Sequence, residues 1–116
     1  MKITTLDQVP KTEMSGEGIT STFKQTPIGV ADGAPNFSMR VFTVEPGGHT
    51  PYHSHPWEHE NYVLAGEGVI RTESGEERPI RAGEFALILP DEKHQFRNPS
   101  DTEALQFICL VPKERE

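Results

Sequence analysis

Ten prolines and ten glycines interrupt this 116-residue chain at short intervals. Proline lacks a backbone donor and glycine opens turn conformations, so neither sits comfortably inside long regular elements. Between these breaks lie short stretches of β-branched and aromatic residues. The spacing predicts strands at Ile19–Gln25, Phe37–Val44, Tyr52–His55, His59–Ala65, Val69–Thr72, Glu77–Ile80, Phe85–Leu89, His94–Arg97 and Ala104–Val111. Pro27, Pro46-Gly47-Gly48, Pro56, Gly66-Glu67-Gly68, Pro90 and Pro112 close the segments, and Ser74-Gly75 reads as a hairpin turn. No stretch has a convincing amphipathic helical period. Short strands at even spacing predict an all-β sandwich or barrel. Residues 1–18 read as a polar N-terminal arm, packed on the barrel or on a partner subunit, and residues 19–116 as a single β-barrel domain.

The net charge of −7 provides no basic footprint for nucleic acid or an anionic membrane. The longest apolar runs, Phe85–Leu89 and Phe107–Val111, are far too short to span a bilayer. Cys109 is the only cysteine, so no internal disulfide can form, which fits a reducing compartment. With no basic-plus-apolar leader pattern at the start, the expectation is a cytoplasmic protein.

Four of the five histidines, His49, His53, His55 and His59, fall within eleven residues, and His94 lies 35 residues beyond His59. Imidazole is the commonest side-chain metal ligand. His53 and His55 are two apart, so an extended strand turns both to one face. His59 shares their parity across the break at Pro56, and His94 would enter from another strand. Four neutral imidazoles leave the full 2+ charge on a metal and suit Mn, Fe, Ni, Cu or Zn.

The run from Gly47 to Gly66, with His53-Ser54-His55 and Tyr62-Val63-Leu64, resembles the first motif of the cupin family. The run from Gly83 to Asn98, with Pro90 and His94, resembles the second. Counting back from Gly66, His59 stands where that motif usually has a glutamate, flanked by Glu58 and Glu60. Glu92 replaces a glycine of the wider motif. The chain is therefore similar to the four-histidine subgroup of small single-domain cupins, which includes manganese-binding thermophile members. The resemblance implies a cupin jelly-roll barrel, a homodimer, and one divalent transition metal held by His53, His55, His59 and His94. Manganese is the first candidate, with Fe, Cu, Ni and Zn behind it. His49, beside two glycines and off the motif, reads as a rim histidine.

Trp57, Tyr62, Phe96 and Phe107 are candidates either for pocket lining or for core packing. Cys109 is a candidate for a small buried apolar site or for a thiol beside the metal. Arg40, Arg71 and Arg97 read as surface residues. No placed general base is evident, which favours metal-centred chemistry over proton transfer. The expected function is a Mn- or Fe-type, dioxygenase-like oxidoreductase acting on a small organic molecule. The alternatives are a non-catalytic metal-dependent binder or sensor and a purely structural metal site. Closed structural zinc sites usually carry cysteines, which argues against the last.

Overall fold

The computed structural model describes residues 1–116 as one curled antiparallel sheet of nine strands. In chain order these are β1 (Thr12–Glu13), β2 (Thr20–Ile28), β3 (Phe37–His49), β4 (His59–Ala65), β5 (Glu67–Thr72), β6 (Glu77–Arg81), β7 (Phe85–Ile88), β8 (His94–Arg97) and β9 (Leu105–Pro112). Three single 3₁₀ turns are the only helical pieces. The strands run β6-β5-β8-β3-β9-β4-β7, with β2 pairing to β3 and β1 to β2. This is the all-β, barrel-like architecture that the turn spacing predicts, with the end strands β6 and β7 not paired to each other.

Alternation places the core. On β9 the odd residues Leu105, Phe107, Cys109 and Val111 are buried and the even ones are partly exposed. Phe42 and Val44 on β3, Val63 on β4, Ile70 on β5 and Phe96 on β8 meet them inside the barrel. Phe107 is sandwiched between Phe42 and Phe96, at ring-centre distances of 5.6 and 4.2 Å. Gly66, between β4 and β5, has φ +77°, and a Cβ there would lie 2.1 Å from the Ala104 carbonyl oxygen. Only glycine lets these two backbones pass so closely.

Three segments differ from the sequence expectation by three residues or more. β3 continues past Val44 to His49. Thr22 pairs with Val44 but Thr20 pairs with His49, so Glu45–Gly48 bulges out of the β2 ladder. The missing N–H of Pro46 therefore removes no ladder bond. β2 likewise runs through Pro27, where its register with β3 shifts between Gln25 and Ile28. The expected strand Tyr52–His55 shrinks to one bridge, His53 to His94.

The N-terminal arm lies on its own barrel. β1 pairs with β2, Gln25 Nε2 donates to the carbonyls of Leu6 and Val9, and Met14 packs against the core.

Candidate metal centre

The four histidines come together from three segments. His59 opens β4 and shares its inward face with Asn61 and Val63. His94 opens β8. The loop carrying His53 is tied to β8 by two backbone bonds, His53 N–H to His94 O at 3.1 Å and His94 N–H to His53 O at 2.9 Å. The His55 carbonyl accepts from Asp91 N–H at 2.7 Å, which anchors the same loop to the turn before His94. Ring nitrogens of His53, His55 and His94 lie within 4.8 Å of one another, and His59 Nε2 is 3.1 Å from His94 Nε2. Burial increases inward: His53 is exposed, His55 half-buried, and His59 and His94 are 4% and 3% exposed.

Hydrogen bonds orient the rings. His55 Nδ1 faces the Trp57 carbonyl at 2.8 Å, and His94 Nδ1 faces the Glu92 carbonyl at 2.7 Å. A carbonyl only accepts, so both Nδ1 atoms carry hydrogen and both Nε2 lone pairs are free for a metal. His55 also stacks on Trp57, with ring centres 4.2 Å apart and planes 11° apart. His94 Nε2 is then an acceptor, so His59 Nε2 donates to it across 3.1 Å. His59 Nδ1 in turn accepts from Asn61 Nδ2 at 2.9 Å. A metal that takes both Nε2 lone pairs requires the His59 hydrogen on Nδ1, and Asn61 Oδ1, 3.2 Å from that nitrogen, can accept it. Asn61 can thus serve either tautomer of His59.

Electrostatics favour the neutral form of His53, His59 and His94. Burial, then the neighbouring His94 and His55, push His59 down to about 3. Burial pushes His94 down to about 4, against the opposing pull of its bond to the Glu92 carbonyl. His53, open to solvent on one side, is lowered by partial desolvation of its ring and by His55. Neutral imidazoles with free Nε2 lone pairs are the donor state that a divalent transition metal requires, so the set fits such an ion. Glu58 and Glu60, the flanking alternatives to His59, are exposed. His49 stands apart at the end of β3, its Nδ1 3.3 Å from Gln95 Nε2.

The rings face a cavity of about 130 Å³. Trp57, Phe96, Phe107 and Cys109 line it, together with Phe42 and Arg40. Phe96, Phe107 and Cys109 also belong to the core, so lining and packing are one role here. Tyr62 does not reach the cavity. It is an even position on β4, on the outer face, and packs on Phe85 with ring centres 4.6 Å apart. Arg71 covers the Tyr52 ring and Arg97 pairs with Glu77, as surface residues do. Arg40 departs from that expectation, because its even position on β3 turns it inward with Phe42 and Val44. Sequence reasoning missed Asn61 as well. Its spacing of two from His59 on a strand was the available clue.

A wider groove of about 780 Å³ lies between β5–β6 and β7, where the two ends of the sheet do not pair. It meets only His94 of the four histidines. The smaller cavity, which all four face, is the one matched to the chemistry.

Comparison with known proteins agrees with the fold. The Cupin domain model matches residues 40–111. Protein SchB of Streptomyces halstedii is 33% identical over 112 residues, covering 96% of this chain and 78% of that one. The oxalate-binding protein of Thermotoga maritima is 34% identical over 67 residues, covering 57% of this chain and 54% of that one. The polyketide cyclase RemF from Streptomyces resistomycificus superposes with a TM-score of 0.91 at 31% identity, covering 97% of this chain and 79% of that one.

Proposed function

The chain belongs to the cupin domain family, and on that premise we propose that it is a metal-dependent, dioxygenase-like oxidoreductase acting on a small organic molecule. His53, His55, His59 and His94 are the ligands in this reading. The observation that carries it is the composition of the cavity wall, which has four imidazoles and no Asp or Glu. A divalent ion held by neutral donors keeps its full charge, and a redox-active one, manganese or iron first, supplies a centre for dioxygen or peroxide chemistry. The chain's own residues do the rest. The Trp57 and Glu92 carbonyls hold His55 and His94 in donor orientation, and Asn61 Oδ1 can accept the Nδ1 hydrogen that metal binding requires of His59. Phe42, Phe96 and Phe107 give the cavity an apolar wall.

Two relatives favour other readings at the same site. The likeness to RemF, described as a polyketide cyclase, supports ring closure with the metal as Lewis acid. The oxalate-binding relative supports a non-catalytic, metal-dependent binder.

One experiment separates the three. Untagged protein is analysed for metal, then loaded with Mn, Fe or Zn and given aromatic diols and diketones with and without oxygen. Oxygen uptake with substrate loss is expected. Conversion that is equal without oxygen assigns Lewis-acid chemistry instead. No conversion, with a ligand-dependent rise in melting temperature, assigns a binding module.

A further inference from the structure

The histidine cavity is not walled by the barrel alone. Met14 and Ile19 line it beside Thr50, Pro51 and Trp57. Both belong to the link between β1 and β2. Ser15–Gly18, between them, is exposed, while Met14 and Ile19 are half-buried. The two side chains therefore stand between the cavity and solvent, and Met14 also packs on the core. The deeper wall is made by Phe42, Phe96, Phe107 and Cys109, all buried strand residues.

Little holds this link in place. Ser15–Gly18 takes part in one hydrogen bond, from Ile19 N–H to the Gly16 carbonyl at 3.3 Å. Met14 N–H donates to the Thr22 carbonyl at 2.8 Å, and β1 pairs with β2 only at Thr12–Lys24 and Glu13–Phe23. Gly18 has φ +76° and passes beside Pro51, whose Cα a Cβ there would approach to 3.8 Å. The far end is firm by contrast. Thr22 is fully buried, and its hydroxyl bonds to the Thr20 and His49 carbonyls at 2.9 and 3.2 Å. A segment with exposed backbone, few hydrogen bonds and two apolar anchors opens locally at far lower cost than core strands do.

The cavity volume of about 130 Å³ holds roughly four waters' worth of ligand at ~30 Å³ each, well below the roughly 300 Å³ at which ordinary small-molecule sites begin. Its barrel side is fixed by the strand ladders, and the His53 loop by its bonds to His94 and Asp91. The side free to retreat is the one made by Met14 and Ile19. We propose that the Met14–Ile19 link is a lid on the histidine cavity, latched by these two side chains, and that their bulk sets the largest ligand the cavity admits. With the lid down the cavity takes a ligand of a few atoms, and with it raised one that carries a ring. This goes beyond the metal reading and does not depend on it, since neither latch residue is a proposed ligand.

Cys109, the one thiol of the chain, lies in the deep wall at 2% exposure, so a reagent reaches it in the folded protein through the cavity. The test is the rate at which methyl and benzyl methanethiosulfonate, two neutral reagents that differ by a ring, label Cys109 in the protein as purified. Each rate is divided by the rate in the urea-unfolded chain, which removes intrinsic reactivity. On that scale the methyl reagent is expected to label wild type about 10-fold or more faster than the benzyl reagent. The double variant Met14→Ala, Ile19→Ala should speed the benzyl reagent about 10-fold or more and bring the two rates together. Tyr62→Ala, altered on the outer face, should keep the wild-type ratio. An unchanged ratio in the double variant overturns the proposal. So does a ratio that falls equally in Tyr62→Ala, because labelling then follows global unfolding, and so do wild-type rates alike for the two reagents. Should the double variant not fold, Ile19→Ala alone carries the same comparison.

Discussion

His59 Nε2 and His94 Nε2 face each other across 3.1 Å inside the barrel, although 35 residues separate them in the chain. Both rings are almost closed to solvent, which disfavours their charged forms, and His94 adds to the cost of protonating His59. Burial makes the site a proton-averse pocket before any metal is considered.

The first prediction concerns pH. The folded protein holds His59 and His94 down to about 3 and about 4, whereas an unfolded histidine titrates near about 6.5. Between those values the unfolded chain binds protons that the folded chain refuses. Stability of the metal-free protein is therefore complete above about pH 6.5 and falls as pH drops toward about 4, by at most ~1.4 kcal/mol per pH unit for each histidine. Urea unfolding of metal-free protein from pH 7.5 to 4 checks this. A midpoint that does not move over that range would refute it.

Asn61 positions His59 rather than ligating. Asn61→Leu keeps the volume but removes the only partner of His59 Nδ1. Metal affinity should fall about 10- to 100-fold while the β-sheet spectrum is retained. Competition against a chelator reads the affinity. Unchanged affinity would show that the His59 tautomer needs no help.

Chelation should lower thermal stability without abolishing the fold, because the core of Phe42, Val44, Leu105 and Phe107 exists independently of the histidines. Metal at about 100 times its dissociation constant should add about 2.7 kcal/mol, a melting shift on the order of 10 °C. Scanning calorimetry over a metal titration measures it, and complete unfolding by chelator would instead favour a structural metal.

Phe107 and Tyr62 form a matched pair of tests. Phe107 is 1% exposed and stacked on both sides, so Phe107→Ala should cost about 3–5 kcal/mol. Tyr62→Ala removes an outer-face contact to Phe85 and should cost on the order of 1 kcal/mol with no change in metal affinity. A Tyr62→Ala variant that lost metal would place that ring nearer the centre than its outward parity allows.

Much of the architecture is legible locally. Proline and glycine breaks mark most strand ends because their backbone restrictions act within a residue or two. The motif spacing marks His53, His55, His59 and His94, and the structure brings all four together while leaving His49 at the rim. The misplaced boundaries come from longer-range pairing. Glu45–Gly48 stays in β3 because Thr20 pairs with His49 across a bulge, and Tyr52–His55 loses its ladder because only His53 meets β8.

By itself the sequence marked an all-β chain, most of its turns and the histidines at motif spacing, since these follow from residue type and short-range pattern, and the cupin resemblance chose barrel over sandwich. Only the tertiary structure decided that Arg40 faces inward, that Tyr62 faces outward and that Asn61 serves His59. Alternation along a strand says which residues share a face. Which face is the inside depends on register with strands far away in sequence, and here Arg40, Cys109 and Asn61 meet only because β3, β9 and β4 lie side by side.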